Sequence, residues 1–470
     1  MGYKNQVIAT LIVSYLCMTT GVLFTWPSSV IKVFRSENTP LNRIMSETEI
    51  SLLGSLTSIS ALFTIPLCGL SLDKLGSKYT CVVLALLQVI GWAVVICFDY
   101  VESILAAVFI GGLSSCIYLV GPLYVGEFCQ EDIRGTMTAA AMTFFPVGGL
   151  ISYIMGVLDY RVINYICLTM NVVGTFLQFY LWESPLFQMK KGLEKEAMKT
   201  IAHYRGVRID SKEVHQEINN LKVALNPDLD DATPEAEKLQ PQLQSTVQRE
   251  KLSAWQFLKK SRSSRRALFL CFVLYTAVVF QGQVVIQVYA EPLFSLAVPS
   301  VSPTVCTVVF AVVNIMAGLI VLYLVDRSGR RPLMIYSSLM TALFASLLGT
   351  QIQFSWGPNW LTAVLIYLFC ITFNTGAGMI PFTVSAEIFL PEIKNFATIV
   401  TMEYSFVGFF VILFIYHPLV SVIGLGPIFY IFALVCLLTT VFCHFYMPET
   451  KGLTVDAIQH LFVPRSHNKV

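Results

Sequence analysis

Two short charged stretches, Gly69-x-x-x-Asp73-Lys74-Leu75-Gly76-Ser77-Lys78 and Asp326-Arg327-Ser328-Gly329-Arg330-Arg331-Pro332, lie about 250 residues apart in this chain. Each stretch follows one long apolar run and precedes another. A tight charged turn at the same place in both halves of an apolar chain predicts a duplicated protein that crosses a membrane several times.

The composition argues against a soluble globular protein. Of 470 residues, 55% are hydrophobic and only 13% are charged, with a mean hydropathy of +0.68. A soluble domain could not bury that much apolar surface and still cover itself with charge. A helix that crosses a bilayer needs about 20 apolar residues, and about twelve runs approach that length. They are 8–30, 50–72, 80–98, 103–125, 136–157, 163–182, 266–290, 303–325, 333–351, 361–384, 397–417 and 423–447.

Basic residues are concentrated in alternate loops, although the net charge is only +2. They include Lys74, Lys78, Arg134, the basic central segment, Arg327, Arg330, Arg331, Lys394 and Lys451. By the positive-inside rule, both termini and the central segment are predicted to be cytoplasmic.

The runs divide the chain into four predicted parts: an N-terminal six-helix half (1–182), a cytoplasmic segment (183–265), a C-terminal six-helix half (266–447) and a cytoplasmic tail (448–470). Within the central segment, apolar residues recur at helical spacing over 192–224, which predicts short amphipathic helices. The stretch 225–250 is rich in Pro, Gln and acids and is predicted to be a mobile linker. The helix that re-enters the membrane is expected to begin near Ser253.

The duplication extends beyond the two turns. Glu127 lies seven residues before Arg134, and Glu387 lies seven residues before Lys394. Trp182-Glu183-Ser184-Pro185 after the sixth run is similar to Met447-Pro448-Glu449-Thr450 after the twelfth. The predicted fold is therefore all-α, with twelve transmembrane helices in two six-helix halves.

The repeated charges suggest a gate on the cytoplasmic side, because charges in hydrocarbon are costly and collect at helix ends. We expect them to pair across the two halves when that side is closed and to separate when it opens. The candidates are Asp73, Lys78, Glu127, Arg134, Glu183, Asp326, Arg330, Arg331, Glu387, Lys394 and Glu449. The alternative is that these charges only set the topology.

Glycine and proline interrupt two of the runs. The set Gly376-x-Gly378-x-x-Pro381 in the tenth run predicts a hinge, where a bent helix would free backbone groups. The pair Gly148-Gly149 in the fifth run indicates either a bend or close packing of helices through small residues.

Polar side chains at membrane depth are the candidates for contact with a solute. Amides both donate and accept hydrogen bonds, which suits a neutral, hydroxyl-rich solute. The candidates are Gln281, Gln283, Gln287, Asn314, Asn374 and Tyr153; hydrogen bonding between helices is the alternative role for each. Glu403 is the one acid placed well inside a run, and a buried ionisable group is a candidate functional residue.

The sequence carries no sign of catalysis, of a metal site or of a cofactor. No glycine-rich loop ends in Lys-Ser/Thr, so ATP binding is not expected. The twelve cysteines and six histidines lack ligand spacing. We therefore expect a lipid-embedded protein with a small-molecule solute as its partner, and neither nucleic acid nor ATP.

Taken together, these motifs resemble the sugar porter branch of the major facilitator superfamily over nearly the whole chain. The family's Asp-Arg-x-Gly-Arg-Arg turn is present in full at 326–331, and its Pro-Glu-Thr-Lys-Gly ending is present at 448–452. Gly69 to Lys78, Glu127 to Gly135 and Trp182 to Leu186 resemble three further family motifs. The pattern around Thr20-Gly21 is similar to insect facilitated trehalose and hexose transporters.

The resemblance implies the major facilitator fold and transport by alternating access. Proton-coupled members carry an Asp where this chain has Thr19, so passive transport is implied, with Glu403 as a possible proton site. A sensor that binds without transporting is the third alternative.

The family's sugar-contact positions are largely replaced. Its seventh-span amides fall at Val278, Val279 and Val284, its fifth-span Gln at Tyr153 and its tenth-span Trp at Phe382, whereas Asn314 matches. Its Asn-Trp pair in the eleventh span falls near Ser405-Phe406. The resemblance therefore leaves the identity of the solute open.

Overall fold

The fold is built from helices throughout the described residues. The structure is a computed structural model that describes residues 3–225, 258–259, 261–299, 301–451, 453, 457–458 and 461–462. The predicted linker at 225–250, apart from Leu225, and the predicted helix start near Ser253 lie outside that range. Within it, eleven helices are long and apolar enough to cross a membrane, and Asn359–Asn374 is a shorter apolar helix.

The N-terminal half contains the first six spans, close to the predicted bounds. They are Lys4–Phe34, Glu47–Leu75, Ser77–Cys97, Val101–Gly112 continued by Leu113–Cys116 and Ile117–Phe128, Glu131–Met155 and Tyr160–Phe179. The C-terminal half supplies six more, two of which are interrupted. They are Arg262–Phe280 followed by Gln283–Val288 and Ala290–Ala297, Pro303–Ser328, Arg330–Phe354, Asn359–Asn374 followed by Ile380–Ile388, Pro391–Ile423 and Leu425–Tyr446.

The two charged turns have nearly the same backbone geometry. Gly76 ends the second span with φ 88° and ψ 173°, and Gly329 ends the eighth with φ 88° and ψ 161°. Residues with a side chain rarely adopt this positive φ, so glycine at this position allows one helix to follow another without a loop. The internal repeat seen in the sequence is therefore also a repeat of local structure.

Three short helices follow the sixth span, at Pro185–Lys190, Glu194–Arg205 and Lys212–Leu225. Apolar residues of the second and third form a small core that includes Ile201 and Val214. Arg205 Nη2 lies 2.6 Å from Glu217 Oε2 and joins the same two helices. Asn5 at the start of the first span donates to the carbonyl of His203 at 2.6 Å, which ties this unit to the N-terminal half.

Glycine allows the first and fifth spans to cross closely. A Cβ on Gly148 would lie 2.0 Å from the carbonyl oxygen of Met18, and a Cβ on Gly21 would lie 2.1 Å from that of Phe145. The helix Glu131–Met155 continues through Gly148 and Gly149. Close packing, rather than a helix break, is therefore the role of this glycine pair.

Candidate functional site

The seventh span is broken at Gly282, which the sequence did not reveal. Its φ is 94°, and a Cβ there would lie 2.3 Å from the ring of Phe432. The helix therefore stops at Phe280 and a new one begins at Gln283. The break sets the direction of the Gln283 side chain.

Three of the predicted amides meet at this break, each from a different span. Asn314 Oδ1 accepts from Gln283 Nε2 at 2.9 Å and from Asn374 Nδ2 at 2.7 Å. Asn314 Nδ2 donates to the Phe310 carbonyl at 2.9 Å, and Asn374 Nδ2 also donates to the Cys370 carbonyl at 3.0 Å. We call Gln283, Asn314 and Asn374 the amide triad.

The amide triad keeps unused hydrogen-bonding capacity. Gln283 Oε1 is buried without a partner among the described residues, and no described group donates to Asn374 Oδ1. Asn314 and Asn374 are partly exposed. Because lipid offers no hydrogen bonds, partly exposed amides at this depth favour a water-accessible space inside the bundle.

The tenth span is interrupted at the position where a hinge is predicted. The helix ends at Asn374 and resumes at Ile380, and the intervening residues form turns. Gly376 packs so closely that a Cβ would lie 2.1 Å from Ser337 Oγ. The hinge places Asn374 on one segment and Phe382 on the next, where Phe382 packs edge-on against Tyr275 at 5.3 Å between ring centroids.

The other solute candidates lie apart from the triad. Gln281 is fully buried and donates to Ser338 Oγ of the ninth span at 3.3 Å. The Tyr153 hydroxyl donates to the Gln287 carbonyl at 2.5 Å, a contact between the two halves. Glu403 is partly buried and has no described hydrogen-bond or ion-pair partner, about 18 Å along its helix from Pro391.

At the predicted outer ends of the spans, the two halves are joined by polar contacts. The Tyr289 hydroxyl donates to the Leu413 carbonyl at 3.0 Å and lies 3.5 Å from the Ser51 carbonyl of the second span. Ser28 Oγ of the first span accepts from the Glu291 backbone N–H at 2.9 Å. Tyr289 is fully buried. We call this region the outer gate.

At the predicted cytoplasmic ends, the charges of the N-terminal half pair with groups of the same half. Glu183 accepts from the Lys78 backbone N–H at 3.0 Å, and Glu127 accepts from Ser77 Oγ at 2.6 Å. Asp73 and Arg134 are exposed.

The C-terminal half repeats this arrangement. Glu449 accepts from the backbone N–H groups of Arg330 at 2.9 Å and Arg331 at 3.1 Å. Arg330 Nη2 lies 2.8 Å from Glu387 Oε1, and Lys394 is exposed. Burial alone would raise the pKa of Glu449, but backbone N–H donors, Arg330 first, lower it below its ordinary value. The Asp326 side chain lies outside the described part.

Between charged side chains that the structure describes, no ion pair joins the two halves at these ends. Apolar residues of the eleventh span, Ile399, Met402 and Phe406, pack against the N-terminal core instead. Pairing of the gate charges across the halves stays a prediction for another conformation.

One polar cluster of the N-terminal half was missed at the sequence level. Gln88 Nε2 donates to Thr20 Oγ1 at 2.8 Å and to Ser114 Oγ at 2.7 Å, while Thr19 Oγ1 donates to Gln88 Oε1 at 2.9 Å. These four side chains are buried and satisfy one another. A lone glutamine inside the apolar third run was the available signal.

The family model described as sugar (and other) transporter matches residues 6–462. The chain belongs to this family. The family is one of transporters rather than enzymes, and the apolar helices make this chain a multi-pass membrane protein.

Among curated relatives, the chain is 24% identical over 472 residues to the facilitated trehalose transporter Tret1 of Drosophila mojavensis, with 98% of this chain and 52% of that protein covered. It is 24% identical to the Culex quinquefasciatus protein of the same name, over 97% of this chain and 85% of that one. The chain thus spans about half the length of several relatives it matches.

Solved structures show the same fold. The xylose transporter XylE from E. coli, in an inward open conformation, superposes with a TM-score of 0.76 at 17% identity over 96% of this chain and 98% of that one. The major facilitator superfamily proton:xylose symporter XylE bound to 6-bromo-6-deoxy-D-glucose gives 0.72 at 18% identity over 98% of this chain and all of that one.

Proposed function

We propose that this transporter carries a small hydroxylated solute, above all a sugar such as a hexose or a trehalose-like disaccharide, down its gradient by alternating access. The observation that carries the proposal is the amide triad. Two of its amide oxygens have no partner among the described residues, and with its partly exposed amides they offer donors and acceptors at membrane depth, where a hydroxyl group is the natural partner.

The site offers few side chains that can form hydrogen bonds with a solute. The family's seventh-span amides fall at Val278, Val279 and Val284, which are all buried apolar residues here. Each lost hydrogen bond removes about 1 kcal/mol of binding. The relatives named for trehalose and xylose support a carbohydrate, and the sparse amides favour a solute that presents few hydroxyls to this wall.

Alternating access is supported by the unequal contacts at the two ends of the spans. At the outer gate the Glu291 backbone N–H bonds to Ser28 and the Tyr289 hydroxyl approaches the Ser51 carbonyl, both across the halves, while the described cytoplasmic charges bond within their own halves. This arrangement suits a conformation closed toward the outside. Opening outward would then break the outer contacts, and the repeated cytoplasmic charges would be free to pair across the halves.

Uptake of radiolabelled hexoses, disaccharides, polyols and glycosides into proteoliposomes containing the full chain tests the proposal. For the best solute, Asn314→Ala should raise the half-saturation concentration about tenfold, because two amides lose their shared acceptor. Gln281→Leu is the matched control and should leave it unchanged, because Gln281 is fully buried and bonds to Ser338 Oγ rather than to the triad, although its Oε1 also has no described partner. Equal effects of the two substitutions would contradict the role of the triad.

Proton-coupled transport is the second candidate, on the observation that Glu403 is partly buried in the eleventh span with no described partner. Accumulation against a gradient that needs a pH difference, and that Glu403→Gln abolishes, would support it. Equilibrating uptake insensitive to pH on both sides would support passive transport. Saturable binding without any flux would favour the sensor.

We further propose the plasma membrane as the location, with both termini cytoplasmic. The placement of the basic loops supports that orientation. Protease protection of tags at either end in intact cells, and their cleavage after permeabilisation, is the expected result.

A further inference from the structure

We propose that His417 is a pH-sensitive element of the outer gate: its neutral ring helps to hold the two halves together, and its protonation favours outward opening. The inference rests on the proposed alternating access. It adds a residue outside the amide triad that would set how often the site faces the outside.

His417 of the eleventh span contacts Arg35, which directly follows the first span. Arg35 Nη2 lies 3.4 Å from His417 Nδ1 and 2.5 Å from Glu47 Oε2. A guanidinium has donors only, so Nδ1 must be the acceptor and the ring proton must sit on Nε2. The contact therefore requires a neutral histidine.

Protonation removes this acceptor. A second proton on the ring places hydrogen on Nδ1, so the bond from Arg35 is lost and two positive charges face each other. His417 Nε2 is buried without a described partner. No described carboxylate contacts the ring, so separation of the halves and access to water would be the way to relieve the charge.

The ring also supports the tyrosine of the outer gate. His417 packs edge-on against Tyr289 at 4.5 Å and against Tyr416 at 5.3 Å between ring centroids. Tyr289 in turn bonds to Leu413 and approaches Ser51 of the other half. Displacing His417 from Arg35 would therefore loosen the contact between the second and eleventh spans.

The groups that face this position are Arg35 from the first span, Glu47 of the second through Arg35, Tyr289, and Tyr416 of the same helix. Lys32 and Glu291 lie in the same outer region. Burial raises the pKa of Glu291 to about 7, with Lys32 acting in the opposite direction. Because burial disfavours the ionised form of Glu291, its ionisation would favour opening of the gate as the pH rises. This direction is opposite to that of His417, whose protonation favours opening as the pH falls.

The test measures outward opening by labelling a cysteine at position 28 with a membrane-impermeant maleimide. Ser28 is fully buried in the closed gate. The full chain carries Ser28→Cys with Cys97→Ser, because Cys97 is exposed. A second protein, in which Ser28 and Cys97 are both unchanged, is labelled in parallel. Its labelling rate at the exposed Cys97 gives the pH dependence of the maleimide reaction itself, by which the rates at position 28 are corrected. Cells are labelled with the external pH varied and the internal pH clamped.

Between about pH 7.5 and pH 5.5, the corrected labelling rate should rise about fivefold or more. His417→Gln keeps a side-chain acceptor that does not titrate, so its rate should not rise as the pH falls over that range, and titration of Glu291 alone would lower it. Glu291→Gln should keep the acid response. A purely structural role for His417 would shift the rate equally at every pH.

Persistence of the acid response in His417→Gln, or its loss in Glu291→Gln, would overturn the assignment. The labelling assay needs no transported solute, so it can fail while sugar uptake succeeds. Conversely, absence of uptake of every carbohydrate would refute the proposed solute without changing the labelling result.

Discussion

Alanine at Gly54 should prevent the outer gate from closing fully. An ideal Cβ at this position of the second span would lie 2.2 Å from the Tyr289 hydroxyl oxygen and 2.6 Å from Cζ of the same ring. Tyr289 has little room to move away, because it stacks on Tyr416 at 5.2 Å and bonds to the Leu413 carbonyl. The closed gate must therefore shift or separate.

Overpacking of this kind destabilises by about 1–3 kcal/mol. If the strain is relieved when the halves part, the ratio of outward-open to outward-closed molecules rises by about 5-fold to 150-fold. The Ser28→Cys reporter measures this shift, and the Gly54→Ala protein should label faster than its parent by at least the lower figure.

Gly69→Ala is the matched control, because Gly69 lies on the same helix and a Cβ there would meet nothing within 4 Å. Both substitutions add the same intrinsic helix preference of about 1 kcal/mol, so the difference between them isolates the clash with Tyr289. Equal labelling rates in two well-folded proteins would refute the closed gate as described.

Two further substitutions test contacts inside each half. Gly148→Ala should lower the thermal stability of the detergent-solubilised protein by about 1–3 kcal/mol, because its Cβ would meet the Met18 carbonyl at 2.0 Å. Gly149→Ala, whose Cβ would lie 3.4 Å from Thr25, should not; equal losses would contradict the close crossing. Glu449→Gln should cost about 1 kcal/mol at neutral pH, since a carboxylate holding backbone N–H groups of the charged turn becomes neutral. The pKa of Glu449 is lowered in the folded protein, so this stabilisation is present above its ordinary value and is lost as the pH falls through the lowered one; thermal unfolding of both proteins across that range should show the difference vanish in acid.

Much of the fold could be predicted because the bilayer makes hydropathy decisive. Each of the twelve predicted spans corresponds to one or more helices of the structure, with ends that differ by up to about seven residues, and glycine and proline alone marked where the tenth span is interrupted. The break at Gly282 was missed because a single glycine in an apolar run carries no distinct pattern. Glycine is required at this position because its φ is 94° and because a Cβ would lie 2.3 Å from the ring of Phe432, about 150 residues later in the chain.

The candidate site was only partly predictable. Gln281 and Gln283 are equivalent by type and by depth, yet one bonds to the ninth span and the other to Asn314. The left-handed backbone at Gly282, between them, separates their directions. Tyr153 stays a candidate for solute contact, but its hydroxyl proton is donated to the Gln287 carbonyl, so only the acceptor lone pairs of that hydroxyl remain for a solute.

The sequence by itself determined the number of spans, their duplication and the two charged turns, because these depend on local hydropathy and on residues close together in the chain. Only the tertiary structure decided which amides meet and where the halves touch. Tyr289 and Ser51 are 238 residues apart, and Arg35 and His417 are 382 apart. Such contacts depend on how each helix is rotated and crossed against its neighbours, and a period of 3.6 residues does not specify that.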